Sequence, residues 1–170
     1  MRAGIAMGSN VGDRLETLIQ ARAAVLALEG VSGPWLSSSL FETEPVGTEP
    51  GADSFINAVI EVDYDGLPAS LLEGLQSIEA SMGRPSKRPR NAPRTIDLDI
   101  LYVGNLTLST TSIVIPHPRL HLRRFVLEPL AEIRAELRLP GQQLTAGELL
   151  EALDDTSAVE RFPQQWPPCA

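Results

Sequence analysis

Residues 95–103 read Thr-Ile-Asp-Leu-Asp-Ile-Leu-Tyr-Val, an order that admits few structures. In a β-strand successive side chains point to opposite faces. Ile96, Leu98, Ile100 and Tyr102 are then expected to share an apolar face turned to a helical layer. Asp97 and Asp99 would share the opposite face, roughly 7 Å apart at Cα. Two like charges that close need an offset. A divalent cation supplies one, because Mg²⁺ takes one or two carboxylates and completes its shell with water and phosphate oxygens. Taken alone, the pair reads first as a solvated strand face with two exposed acids, and metal binding comes second.

The rest of the chain gives this strand its partners. Residues 4–7 read as a short buried strand ending at Gly8-Ser9-Asn10. Asp13 and Glu16 have capping-box spacing. Leu15, Leu18, Ile19, Val25 and Leu26 continue a helical stripe that Arg22 interrupts, and Gly30 ends it. Strands are expected over 35–41 and 55–62, separated by a loop at 44–51 that holds two prolines and two glycines. Pro68 suits a first helical turn. Leu71, Leu75, Ile78 and Met82 form the stripe that follows, and Gly83 ends it. The order β-α-β-β-α-β predicts an α+β fold, a ferredoxin-like sandwich of an antiparallel sheet with helices, plus C-terminal helix and strand additions. These additions are a short helix near 120–127, a strand-like 137–139 and a helix capped by Thr145 and Glu148. One domain over 1–160 and a frayed proline-rich tail over 161–170 are expected.

Charge narrows the partners. The net charge of −8 opposes a general affinity for nucleic acid. Yet Arg84, Lys87, Arg88, Arg90 and Arg94 cluster without an intervening acid, and Arg119, Arg123 and Arg124 form a second group. Local basic clusters on an acidic chain suit a compact polyanion. Pro85, Pro89 and Pro93 make the first cluster a loop, expected to close over bound nucleotide. No P-loop motif and no kinase glycine loop with its lysine occurs. The single Cys169 permits no disulfide within the chain, and the two histidines lack zinc spacing. No apolar run of membrane-spanning length and no signal peptide are read, so a cytoplasmic location is expected.

The run Arg90-Asn91-Ala92-Pro93-Arg94-Thr95-Ile96-Asp97-Leu98-Asp99-Ile100-Leu101 resembles the signature of the 6-hydroxymethyl-7,8-dihydropterin pyrophosphokinase family of folate biosynthesis. Gly8-Ser9-Asn10, 43–47, Phe55-Ile56-Asn57-Ala58, 76–84 and Ile115-Pro116-His117 agree in order, so the similarity covers about residues 3–155. The resemblance implies pyrophosphoryl transfer from ATP, with two Mg²⁺ ions held by Asp97 and Asp99. It implies catalytic roles for Arg84, Arg94 and Asp97. Thr43, Val46, Phe55, Asn57 and Phe125 would meet the pterin, with the two phenylalanines stacking on its faces. Gln76, Glu79, Arg84, Arg94, Ile100, His117 and Arg123 would meet ATP. Its partners would be small molecules, with no nucleic acid or membrane, and a monomer is expected. Asn91, Pro118 and Glu44 depart from residues frequent in the family. The competing reading is a ferredoxin-like domain that binds nucleic acid on its sheet.

Overall fold

A computed structural model describes residues 1–44, 53–83 and 95–168. The expected loop at 44–51 and the basic loop at 84–94 fall almost wholly outside them. With those loops lie Val46, Arg84, Lys87, Arg88, Arg90, Asn91 and Arg94.

Six strands form one antiparallel sheet. They are β1 (Arg2–Ser9), β2 (Val31–Ser37), β3 (Phe41–Thr43), β4 (Phe55–Tyr64), β5 (Asp97–Val103) and β8 (Val159–Arg161). The sheet order is β5-β1-β4-β3-β8, and β2 also pairs with β4. Helices α1 (Arg14–Leu26) and α2 (Pro68–Ser81) cover one face. Their Leu18, Ala21, Val25, Leu71, Leu75 and Ile78 pack against Ile5, Met7, Ile60, Ile96, Leu98 and Ile100. This is the expected β-α-β-β-α-β sandwich. Asp13 caps α1 as its spacing predicts, accepting the Glu16 amide at 3.0 Å.

The additions cover part of the second face. A two-strand ribbon, β6 (Leu108–Ser109) and β7 (Val114–Ile115), leads to a 3₁₀ turn at Leu120–Leu122. Next come α3 (Arg124–Arg134) and α4 (Ala146–Ala152). Val126, Leu127 and Leu130 of α3 pack with Val59, Leu101 and Tyr102.

Several expectations need correction. The strand over 35–41 is two strands, β2 and β3, divided at Ser38–Leu40, where the Ser38 hydroxyl accepts the Val59 amide. Residues 137–139 are not a strand; Leu137 O accepts the Ala146 amide, and Leu139 is buried in the α3 cluster. The helix near 120–127 is the 3₁₀ turn followed by α3, which runs on to Arg134. Tyr102 does not share the face of Ile96, Leu98 and Ile100. The β1–β5 register shifts between Gly4 and Ile5, leaving Leu101 as an extra residue, so Tyr102 turns to the α3 side. The tail is docked rather than frayed. The Phe162 amide donates to Leu40 O at 2.8 Å, and the Trp166 indole donates to Ser38 O at 2.7 Å.

Candidate active site

Register places the acids. Asp97 lies opposite Gly8 on β1, and Gly8 lies opposite Asn57 on β4. One row therefore crosses three strands as Asp97, Gly8 and Asn57, all on the face that α3 covers lower down. The next row is Asp99, Ala6 and Val59. Strands stand about 4.8 Å apart, so roughly 10 Å separates the Asp97 and Asn57 backbones. Gly8 floors that span without a side chain. A Cβ there would come within 2.7 Å of Asn57 Oδ1 and 3.7 Å of Phe55 Cδ1.

Asn57 is held for recognition. Its side-chain amide donates to Thr43 Oγ1 at 2.6 Å, and the two residues are only 7% and 5% exposed. With that donor spent, Oδ1 is aimed over Gly8. Phe55 lies two residues before Asn57 on the same face, half-buried. Phe125 sits in the first turn of α3, on the same side of the sheet, and the Arg123 guanidinium lies 5.5 Å from its ring centroid. Thr43, Phe55 and Asn57 are thus brought together on the side of the acids, and Phe125 lies on that side of the sheet.

The segment after β7 runs beside β5, with His117 donating its amide to Leu101 O at 2.8 Å. Its Nδ1 accepts the Arg119 amide at 3.1 Å. Burial, then the charges of Arg123 and Arg119, push the His117 pKa down, while Asp97 opposes them. A neutral ring whose Nδ1 accepts carries its proton on Nε2, and so offers a donor near Asp97. Arg123, Arg119 and Asp97 all act by charge on the His117 ring. Gln76 is exposed on α2. Glu79 and Ile100 lie on the other side of β5. Glu79 Oε1 accepts the Leu98 amide at 2.8 Å, and Ile100 is buried in the core, leaving its main chain for any ligand.

Two further residues belong to the rim. Ser9, fully buried, donates to Thr95 O at 2.5 Å just ahead of Asp97. Arg14 donates to Ser54 O at 2.7 Å and pairs with Glu42 at 2.8 Å, bracing the approaches to β4 and β3. Ser9 carried a signal in Gly8-Ser9-Asn10. Arg14 carried none, since a polar residue in a first helical turn is ordinary.

The donor set suits a cation shared with phosphate. Asp97 and Asp99 are half-buried carboxylates of one strand face. Among the described residues no group of three or more His, Cys, Asp or Glu is poised to hold a metal alone. Two carboxylates on one strand face fit Mg²⁺, which keeps water and phosphate in its shell. The same face disfavours nucleic-acid binding, because helices cover its lower half and acids line its upper part.

Comparison with known proteins decides the family. The model of 7,8-dihydro-6-hydroxymethylpterin-pyrophosphokinase matches residues 4–135. The chain belongs to this family. Two bacterial 2-amino-4-hydroxy-6-hydroxymethyldihydropteridine pyrophosphokinases are similar across most of their length. The Bacillus subtilis protein is 44% identical over 131 residues, 77% of either chain. The Haemophilus influenzae protein is 37% identical over 163 residues, covering 95% of this chain and 98% of the relative. Among solved structures, a Plasmodium falciparum HPPK-DHPS chain superposes with a TM-score of 0.64 at 16% identity. It matches 88% of this chain, which spans only 44% of that longer one. That likeness concerns the fold. As a member of the pyrophosphokinase family, the chain is an enzyme of that class. Among the described residues no helix is long and apolar enough to cross a membrane.

Proposed function

We propose that this chain transfers the β,γ-pyrophosphoryl group of ATP to the hydroxymethyl oxygen of 6-hydroxymethyl-7,8-dihydropterin. The observation that carries this reading is the row Asp97–Gly8–Asn57. A carboxylate and a clamped amide face each other across a floor without a side chain, in a member of the pterin pyrophosphokinase family. The Asn57 Oδ1 accepts from the amino and ring N–H groups of a pterin edge. Phe55 and Phe125 stack on the heterocycle. Asp97 and Asp99 would hold Mg²⁺, two ions by the family pattern, which neutralises phosphate charge when bound.

His117 and Arg123, with Gln76, Glu79 and Ile100, are assigned to the nucleotide by the family pattern, and the charge effect of Asp97 on the His117 ring supports the first of them. Arg84, Arg94 and Val46, outside the described residues, are assigned to the phosphates and the pterin by the family pattern alone. In the transfer the acceptor oxygen bonds to the β-phosphorus in line with the departing bridge oxygen. The bond from that bridge oxygen to the β-phosphorus breaks, AMP leaves with the oxygen, and the acceptor's hydroxyl proton passes to solvent. Little covalent work falls to the protein, so positioning and charge stabilisation dominate. We assign the activity to a single domain over 1–160, acting as a cytoplasmic monomer.

Product analysis tests the proposal. Incubation with ATP, Mg²⁺ and the pterin yields AMP and the pterin diphosphate; ADP as the nucleotide product would overturn it. Asp97→Ala and Asp99→Ala lose turnover by orders of magnitude with the fold retained. Near-normal rates in both would remove the metal role.

A further inference from the structure

Helix α3 carries Phe125 in its first turn and follows directly on Arg123, yet it has no cap of its own. Its N-cap residue, Arg123, makes no side-chain capping bond. A helix start leaves several N–H groups in need of acceptors. The acceptor here arrives from 31 residues further on: Asp155 Oδ2 takes the Arg124 amide at 3.3 Å. The Arg124 Nη1 donates in turn to Asp155 O at 3.3 Å. A carboxylate at a helix N-terminus also meets the positive end of the helix dipole.

Asp155 is itself fixed. The Ser157 amide donates to its Oδ1 at 2.9 Å, and the Ser157 hydroxyl donates to the same oxygen. These bonds hold its carboxyl below the usual carboxylate range. Two residues past Ser157 the chain enters β8, where Val159 lies opposite Thr43. The stretch 155–159 therefore ties the first turn of α3 to β3. Those two elements carry Phe125 and Thr43, both assigned to the acceptor above. Asp155, Ser157 and β8 lie beyond residues 4–135, the span that the family model matches.

We propose that Asp155 is a positioning residue for the acceptor: it sets the first turn of α3, and through it the placement of Phe125 against the pterin. This rests on the reading of Phe125 as a pterin contact. Asparagine keeps one acceptor oxygen where Asp155 uses two, so it can serve either the Arg124 amide or the Ser157 donors and substitutes only in part, whereas alanine loses both.

The test compares the double variant Asp155→Ala/Phe125→Ala with four single variants of the full chain: Asp155→Ala, Asp155→Asn, Phe125→Ala and Thr145→Ala. The last removes the side-chain cap of α4, where Thr145 Oγ1 accepts the Glu148 amide at 3.3 Å, and serves as a stability control. The readouts are thermal midpoint, kcat, and the calorimetric Kd of the pterin with Mg²⁺ and a non-hydrolysable ATP analogue. Asp155→Ala should weaken pterin binding roughly fivefold with kcat little changed. Asp155→Asn should fall between the parent and Asp155→Ala, and Thr145→Ala should leave pterin binding alone. Joined to Phe125→Ala, the Asp155→Ala effect should vanish, since it acts through that ring. Unchanged pterin affinity in Asp155→Ala beside a weakened Phe125→Ala overturns the inference and leaves the site reading standing. An equal loss in Thr145→Ala also overturns it. No effect of Phe125→Ala overturns the site reading itself.

Discussion

Glu79 reaches from α2 to accept the Leu98 amide at 2.8 Å, between the two strand residues that carry Asp97 and Asp99. Leu98 lies on β5, the outermost strand of the sheet, so its outward amide has no further strand to bond. The carboxylate closes that edge and anchors α2 to the strand of the acids. Glu79→Gln keeps a side-chain carbonyl acceptor and should retain most stability. Glu79→Ala strands a buried donor at a cost of about 1–3 kcal/mol. It should also raise the Mg²⁺ concentration needed for half-maximal activity, because the flanking carboxylates lose their common anchor. Chemical denaturation and a Mg²⁺ titration read both effects. Equal stability of the two variants would show that the bond holds nothing.

Tyr102 introduces a pH dependence below the site. Its hydroxyl donates to Glu61, a fully buried carboxylate that also pairs with Arg2 at 2.8 Å and Arg134 at 3.3 Å. Burial, then the bond to Glu61 and its charge, push the Tyr102 pKa well above the ordinary 10.0. The folded state keeps a proton that the unfolded chain gives up. That stabilisation is complete below pH 10.0 and is lost as pH climbs from there toward the folded value. The loss runs at about 1.4 kcal/mol per pH unit. Tyr64 is shifted the same way and adds to the slope. Tyr102→Phe should therefore be less stable than the parent at neutral pH, yet show a shallower decline above pH 10. Urea melts from pH 8 to pH 11 measure this, and parallel declines would refute the assignment.

Two glycines of β1 should fail in different ways. A Cβ at Gly4 would stand 2.3 Å from the buried Tyr102 ring, so Gly4→Ala should cost stability, on the order of 3 kcal/mol. At Gly8 the conflict is with Asn57 Oδ1, a side chain already held by Thr43. Gly8→Ala should fold and bind the pterin about tenfold more weakly, because the amide must swing out of register. Thermal melts and pterin calorimetry on both variants separate the cases. A Gly8→Ala protein with parental pterin affinity would dissociate the glycine floor from recognition.

These contacts show where sequence patterning stops. Period-two alternation placed Asp97 and Asp99 together because the strand from Ile96 to Ile100 is regular. It misplaced Tyr102 because one extra residue, Leu101, turns the strand over, and the permissive partner is Gly4 on another strand. Thr43 and Asn57 were legible singly, through the family pattern, but their bond depends on the β3–β4 register. Glu79 with Leu98 and Asp155 with Arg124 join helices to distant backbone amides, and no local spacing announces such a bond. Arg22 was legible only as an anomaly, a charge in the apolar stripe of α1.

That anomaly is answered by the tail and yields the last prediction. Arg22 is 6% exposed; its guanidinium stacks 4.3 Å from the Trp166 ring centroid and donates to Pro167 O at 2.9 Å. Trp166 in turn bonds Ser38 O, at the break between β2 and β3. The tail thus clasps α1 to the strand that carries Thr43. Arg22→Met keeps an apolar stem of similar reach but loses the cation–π contact and the charged hydrogen bond, about 2 kcal/mol together. Trp166→Ala should cost more, about 3 kcal/mol, since a packed aromatic goes as well. The two losses should not add, because each substitution removes the same contact, and a double-mutant cycle measures the shared part. Strict additivity in that cycle would show that the pair does not couple. A tail without hold on the fold would leave both single variants as stable as the parent.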